Sequence, residues 1–269
     1  MRAAVLSLSV GLTAVTRPVC DILMYHSISN AGGPTSITPD TFRAQMDAIA
    51  EADVPVVSLD QVEAAWNSGA SLPPYSIAIT FDDGFSDFSD FAFPLIAGHG
   101  WTATVFIPTA HVGGVELWRG ANDPARPLMS WAAIRDVASA GAAIGGHSVT
   151  HTDLMSLAPV ELEAEVRGCS EEIMAGLGEK PKHFAPPYGR ADATALQTVR
   201  RYFNTSCGTG MGRSRPGSDV FNLPRLEMFY FTDIARWRAH LAGKGAAYYH
   251  VRKSLRLVRD AVSKPWSRQ

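Results

Sequence analysis

Short apolar runs alternate with amphipathic stretches along nearly the whole chain, and that alternation limits the fold more than any other feature. Residues 21–28, 54–57, 77–81, 102–107, 143–146, 182–185, 203–207 and 222–226 read as strands. Between them, Thr38-Pro39 gives an N-cap and a first-turn proline for a helix to about Glu51, with Phe42, Met46 and Ile49 as its apolar stripe. Further helices are expected over 60–66, closed by Gly69, over 91–97, and from a Ser130 cap through Ala140 to Gly141. Others follow over 160–175, 193–201 and from Asp233 onward. The helix at 160–175 should bury Leu162, Val166, Cys169 and Ile173 and turn its acids to solvent. Strands spaced by helices in this way indicate a mostly parallel sheet or barrel, with functional residues at the strand C-terminal ends. With 269 residues, 46% hydrophobic and 19% charged, the chain can build one large domain with a full core.

The strand ends carry chemistry. The run 77–81 ends in Asp82-Asp83-Gly84. Two adjacent acids do not ionise equally unless something positive sits beside them. A metal ion is the usual answer, one carboxylate serving as ligand and the other as base; the plainer alternative is a solvated turn. The run 143–146 delivers the chain to His147-Ser148-Val149-Thr150-His151. On a helical turn, two imidazoles at i and i+4 share one side and can converge on one ion. With one carboxylate they make a two-histidine, one-carboxylate site. Zinc fits first, and iron, cobalt, nickel and manganese accept similar ligands.

Thr80-Phe81-Asp82-Asp83-Gly84, His147-Ser148-Val149-Thr150-His151 and Pro186-Pro187-Tyr188-Gly189 resemble, in order, three motifs of the NodB-homology polysaccharide deacetylases. The resemblance spans roughly residues 22–225. It implies a distorted (β/α) barrel of seven or eight strands and metal-dependent removal of N- or O-acyl groups from an acetylated polysaccharide or oligosaccharide. It also implies that Asp83, His147 and His151 hold the metal, that Asp82 is the general base, and that the Tyr188 backbone N–H helps hold the oxyanion. Many members carry a base-orienting arginine where Ala185 stands here; Arg225, in Leu223-Pro224-Arg225, could supply that guanidinium from a later strand. Many also end in a strand bearing an acid histidine, and nothing after Tyr188 matches it. Leu23-Met24-Tyr25-His26 resembles instead a permuted branch that includes bacterial poly-N-acetylglucosamine deacetylases, where that strand comes first. First and last strands of a closed barrel are neighbours, so His26 is the expected general acid.

Other readings stay open at this stage. A deformylase or deacylase of a lipid-linked sugar would use the same constellation, and a degenerate carbohydrate-binding module would lack one of its members. Trp118 and Trp131 could line a sugar platform or pack beneath the long loop 111–127. His99, His111 and His183 read as surface histidines beside turns or in that loop, and Asp87 and Asp90 as helix-start residues.

The domain boundaries expected are an N-terminal segment 1–20, a barrel 21–232 and a basic helical tail 233–269. From Arg236 on, nine Lys and Arg face the single acid Asp260, within a net charge of −2. Such a tail suits an anionic membrane surface, or is the solvated face of a terminal helix. No interleaving of basic and aromatic residues points to nucleic acid. The uncharged run 3–16 resembles a short signal-peptide core or a leading helix or strand, and is shorter than the roughly 20 apolar residues of a membrane span. A cytoplasmic or membrane-associated location is favoured over export. Cys20, Cys169 and Cys207 have neither CxxC spacing nor a disulfide pattern, so buried or free thiols are expected.

Overall fold

In the computed structural model, residues 18–118, 124–245, 247–252 and 254–255 are described. In chain order the elements are β1 (Val19–Tyr25), β2 (Ser27–Ile28), β3 (Ser36–Ile37), α1 (Pro39–Glu51), α2 (Leu59–Ser68) and β4 (Tyr75–Phe81). Next come α3 (Phe93–Gly98), β5 (Thr104–Ile107), α4 (Trp131–Ser139), β6 (Ala143–Gly146) and α5 (Pro159–Leu177). The last are β7 (His183–Phe184), α6 (Ala193–Tyr202), β8 (Thr205–Met211), β9 (Leu223–Glu227) and α7 (Ile234–Leu241). Seven strands close a barrel in the order β1-β4-β5-β6-β7-β8-β9. Every neighbouring pair in it is parallel, including the closing pair β1 and β9.

Strand alternation sorts the core into an inside and an outside. Cys20 and Ile22 of β1, Ala78 of β4, Phe106 of β5, Cys207 of β8 and Leu223 of β9 belong to one buried cluster, the barrel interior. Their neighbours Leu23, Tyr25, Ile77, Ile79, Phe81, Val105 and Ile107 belong to another, packed beneath the helix residues Phe42, Met46, Ile134, Ile173 and Trp237. The same parity carried one step further points His26, Asp82 and Arg225 inward at the barrel's C-terminal mouth. Gly145 is the one residue that fits opposite Phe106, because a Cβ there would lie 2.4 Å from the ring.

The expected caps form: the Thr38 and Ser130 side chains accept from the Thr41 and Ala133 amides, and Gly69 ends α2 at φ 70. Three expectations change. The run 54–57 makes a single bridge, Val56 to Ile77, covering the part of β4's edge that β5 leaves free; Pro55 has no N–H to extend a ladder. The run 21–28 breaks at His26, so β2 leaves the barrel to pair with β3 and His26 stays at its lip. The basic segment from Asp233 begins as a packed helix, not as a tail outside the barrel. Trp237, His240 and Leu241, at i, i+3 and i+4, are buried, and Trp237 Nε1 donates to Gln45 O at 3.1 Å.

His240 also reaches Asp21, a fully buried acid on β1, with Nε2 2.8 Å from Oδ2. Arg213 adds bonds of 2.7 and 3.0 Å and the Tyr75 hydroxyl one of 2.9 Å. Burial alone would raise the Asp21 carboxyl, but His240 and Arg213 bring it below the ordinary carboxylate value. Arg236 pairs with Asp233 and Arg238 with Glu51, so part of the basic charge is engaged within the fold. Residues 1–17 and 256–269, which hold the signal-like run and the end of the basic tail, lie outside the described residues. Cys20, Cys169 and Cys207 are free and buried. Among the described residues no helix is long and apolar enough to cross a membrane.

Because α7 closes the outer layer, Trp237→Ala should lower stability by about 3–5 kcal/mol, read from urea melts. An unchanged midpoint would mean that α7 is an appendage.

Candidate active site

Beyond β4 the ladder continues one residue, as the Asp82 amide donates to Tyr25 O at 2.9 Å. The chain then turns sharply: Asp83 has φ 74 and Gly84 φ 70. A Cβ on Gly84 would stand 2.9 Å from Ile107 Cγ2. Two consecutive left-handed residues separate the adjacent carboxylates, leaving Asp82 over the barrel interior and sending Asp83 toward β6. At the end of β6 the His147 amide donates to Ile107 O at 3.0 Å. The helical turn expected over 147–151 is absent. Ser148 and His151 have φ of 62 and 57, and the segment is a bend. The i, i+4 spacing converges here through two left-handed residues and a bond from the His151 amide to Ser148 Oγ at 3.0 Å.

His147 Nε2 lies 3.2 Å and His151 Nε2 3.1 Å from Asp83 Oδ1. The ligating atoms of the three residues all lie within 4.8 Å of one another, and all three residues are buried. The chemistry of this donor set asks for a cation. His147 Nδ1 sits 2.6 Å from Ala185 O, which can only accept, so that nitrogen carries the ring proton. The neutral ring therefore aims the Nε2 lone pair at a carboxylate oxygen, an arrangement that needs a proton or metal ion between them. Two imidazole nitrogens and one carboxylate oxygen suit zinc or a similar first-row ion.

The charges respond accordingly. Burial would raise Asp83, yet the His147 and His151 imidazoles beside it hold it well below the ordinary carboxylate value. Burial lowers His147, but Asp83 and Asp82 outweigh it and the imidazole ends raised; for His151 burial prevails and the imidazole ends lowered.

Asp82 is held from β9, two strands away across β1. Arg225, fully buried on β9, donates NH1 to Oδ1 at 2.6 Å and NH2 to Oδ2 at 2.7 Å. Its Nε donates to Gly208 O at 2.9 Å, a carbonyl in the stretch of β8 where the register with β9 shifts. NH1 also reaches Thr80 Oγ1 at 3.2 Å, and Thr80 Oγ1 donates to Leu23 O at 2.6 Å. Burial would raise the Asp82 carboxyl, but the Arg225 charge and hydrogen bonds, with His147 and His26 adding, bring it below the ordinary value. His26 Nε2 stands 4.0 Å from Asp82 Oδ2, beyond hydrogen-bond range.

The sequence-expected residues thus meet at one mouth, fed by β1, β4, β6 and β9. Tyr188 joins them at φ 61, with its ring edge-on to His151 at 5.0 Å and its hydroxyl pushed up to about 12 by burial. Trp118 stacks on His151 at 3.8 Å, whereas Trp131 packs against Gly176 of α5. His111 also belongs to the rim, with Nε2 3.2 Å from Thr150 O. His183 is buried rather than on the surface, bonded to Asp60 and Thr205 at the start of β7, far from the mouth. Asp60, Glu63 and His183 form a second group of ligating type there, but Lys182 already pairs with Asp60 at 2.8 Å. Asp87 makes no cap; it accepts from Ser27 Oγ at 2.6 Å, beside His26. One residue went unnoticed in the sequence: Glu165 of α5 accepts from the amides of Val149 and Thr150 between the two histidines.

A polysaccharide deacetylase family model matches residues 69–205, about half of the chain. The chain belongs to the polysaccharide deacetylase family. His26 and Arg225 fall outside the matched span on either side, and barrel closure brings them to Asp82. The putative polysaccharide deacetylase YxkH of Bacillus subtilis is 22% identical over 180 residues, covering 67% of this chain and 60% of its own length. IcaB from Ammonifex degensii has a similar fold, with a TM-score of 0.70 at 21% identity, over 82% of this chain and 97% of that one. The Streptococcus pyogenes deacetylase PplD, solved in complex with acetate, gives 0.69 at 22% identity, over 78% and 92%.

Arg225→Met should cost about 3–5 kcal/mol near neutral pH, because it strands the buried Asp82 charge. In the native protein the depressed Asp82 value adds stability above the ordinary carboxylate value, lost as pH falls through the folded value. In the variant burial is unopposed by Arg225, the carboxyl rises, and acidification relieves the penalty. Urea melts across the acid range should therefore show the two proteins converging; a pH-independent gap would assign the cost to packing.

Proposed function

We propose that the chain is a metal-dependent deacetylase that hydrolyses N-acetyl groups on a sugar polymer or oligosaccharide. The observation that carries this reading is the convergence of Asp83, His147 and His151 beside an Asp82 gripped by Arg225, with His26 next to it. Asp83, His147 and His151 would hold one divalent ion, zinc by the donor set. When bound, such an ion polarises an acyl carbonyl and makes a neighbouring water more acidic.

The rest is work for the chain's own groups. Asp82 takes a proton as water oxygen bonds to the acyl carbon, and Arg225 keeps both carboxylate oxygens in place for it. The Tyr188 N–H is the proposed donor to the developing oxyanion, where preorganised dipoles act most strongly. As the carbon–nitrogen bond breaks, His26 gives a proton to the departing amine, which is a poor leaving group without it. The products are acetate and a free amino sugar. Exposed Tyr188 and half-buried Trp118 flank the entrance, as stacking surfaces for a sugar ring would. A membrane-associated location belongs to the same proposal, supported by the basic residues Arg256, Arg259, Lys264 and Arg268, which suit an anionic surface.

Purified protein should release acetate from acetylated oligosaccharides, lose that activity to a chelator and regain it with zinc. Formylated and O-acetylated substrates in the same panel separate the deformylase and esterase readings. Asp82→Asn should keep the metal while kcat falls by about 10²–10⁴-fold. His26→Ala should impair amide cleavage far more than cleavage of an O-acetyl ester, whose leaving group needs less help from a proton. Equal losses on both substrates would remove His26 from the role of general acid.

A further inference from the structure

We infer that Glu165 is a positioning residue for the metal-ligand loop, setting the geometry in which His147 and His151 converge. This rests on the metal-dependent reading above and goes beyond its ligand set. Glu165 sits on α5, outside the three motifs. One carboxylate oxygen accepts from the Val149 amide at 2.9 Å and the Thr150 amide at 2.8 Å, and the other accepts from Thr150 Oγ1 at 2.7 Å. These are the two residues immediately before His151, and a carboxylate taking three such bonds is a strong, directional clamp.

The clamp has a counterpart on the opposite edge of the loop. The Thr109 and Ala110 amides, just past β5, donate to the Ser148 and Val149 carbonyls at 3.2 and 2.9 Å. The loop is therefore held through its amides by α5 and through its carbonyls by the end of β5. That bracing matters because Ser148 and His151 occupy the left-handed region, which residues with a side chain rarely keep unless the surroundings fix it. The helix comes close enough to do this through Glu165, Gly168 and Cys169, at i, i+3 and i+4. A Cβ on Gly168 would lie 3.1 Å from Val149 Cγ2, and one on Gly146 would lie 3.1 Å from Cys169 Sγ. The face of α5 that packs on the ligand loop thus includes an acid, and that acid bonds the loop's backbone.

The test compares zinc affinity, by competition with a chromophoric chelator, and the cobalt visible spectrum in metal-stripped full-chain protein. Glu165→Ala should weaken zinc binding by about 10–100-fold and change the cobalt spectrum, since outer-shell partners of metal ligands have effects of that size. Glu165→Gln, which keeps an oxygen for the two amides, should restore most of the affinity and the spectrum. Thr150→Val, which removes the hydroxyl bond alone, should give a smaller loss and serves where the alanine variant does not fold. A lowered melting temperature with native zinc affinity and native cobalt spectrum would overturn the inference, leaving Glu165 a stabiliser only. His147→Ala is the control for the underlying reading. If it binds zinc as the native protein does, the metal assignment fails; if it does not bind while Glu165→Ala binds natively, only the role of Glu165 fails.

Discussion

Two imidazole nitrogens and one carboxylate oxygen converging at the barrel mouth are the constraint on which the site depends. His147 has spent its ring proton on Ala185 O, so its Nε2 meets Asp83 Oδ1 lone pair to lone pair unless the ring takes a second proton, and His151 Nε2 crowds the same oxygen. A cation resolves the conflict, and the surroundings fix which atoms face it. The Ala185 carbonyl sets the His147 tautomer, and the Asp83-Gly84 turn aims one carboxylate away from the other. Among the described residues, five other than glycine have positive φ, Asp53, Asp83, Ser148, His151 and Tyr188, and all but the first line this mouth. Strain of that kind persists only where the rest of the structure over-determines it. Here the parallel barrel does so, with strand ends that cannot shift without breaking ladders on both sides.

Barrel closure explains how residues about two hundred positions apart serve one carboxylate. The register of β1 with β4 puts Tyr25 beside Phe81, so His26 and Asp82 are next neighbours beyond the last rung. The register of β1 with β9 brings Arg225 in from the other side, through the same inward parity. Asp82 and Asp83 then diverge in role by environment alone. One is gripped by a guanidinium that cannot lose its charge, and the other is surrounded by imidazoles that can exchange a proton for a metal. On the proposed reading, the base would be oriented without being consumed as a ligand, and the ligand kept ionised without an arginine.

Much of this was legible in the chain because the key groups stand at strand ends, where period-two patterning and a turn signal coincide. The Asp82-Asp83-Gly84 run and the His147–His151 pair are of that kind. Arg225 was legible only indirectly, through the missing arginine at Ala185. Spacing misled where two conformations satisfy it. An i, i+4 pair suits a helical turn, yet the same convergence arises from two left-handed residues, which side-chain pattern does not encode. The apolar run 54–57 looked like a strand because it covers a strand's edge. Basic composition concealed that Trp237, His240 and Leu241 form a buried stripe on α7. Glu165 looked like any solvated acid on an amphipathic helix. Its partners are backbone amides, which no residue type advertises.

Anomalous diffraction at the zinc edge, from crystals grown with zinc, tests the central claim most directly. One ion is predicted between Asp83 Oδ1, His147 Nε2 and His151 Nε2, at about 2.0–2.2 Å from each, with Asp82 uncoordinated and still paired to Arg225. An ion bound elsewhere, or Asp82 taking the place of Asp83 as its ligand, would contradict it.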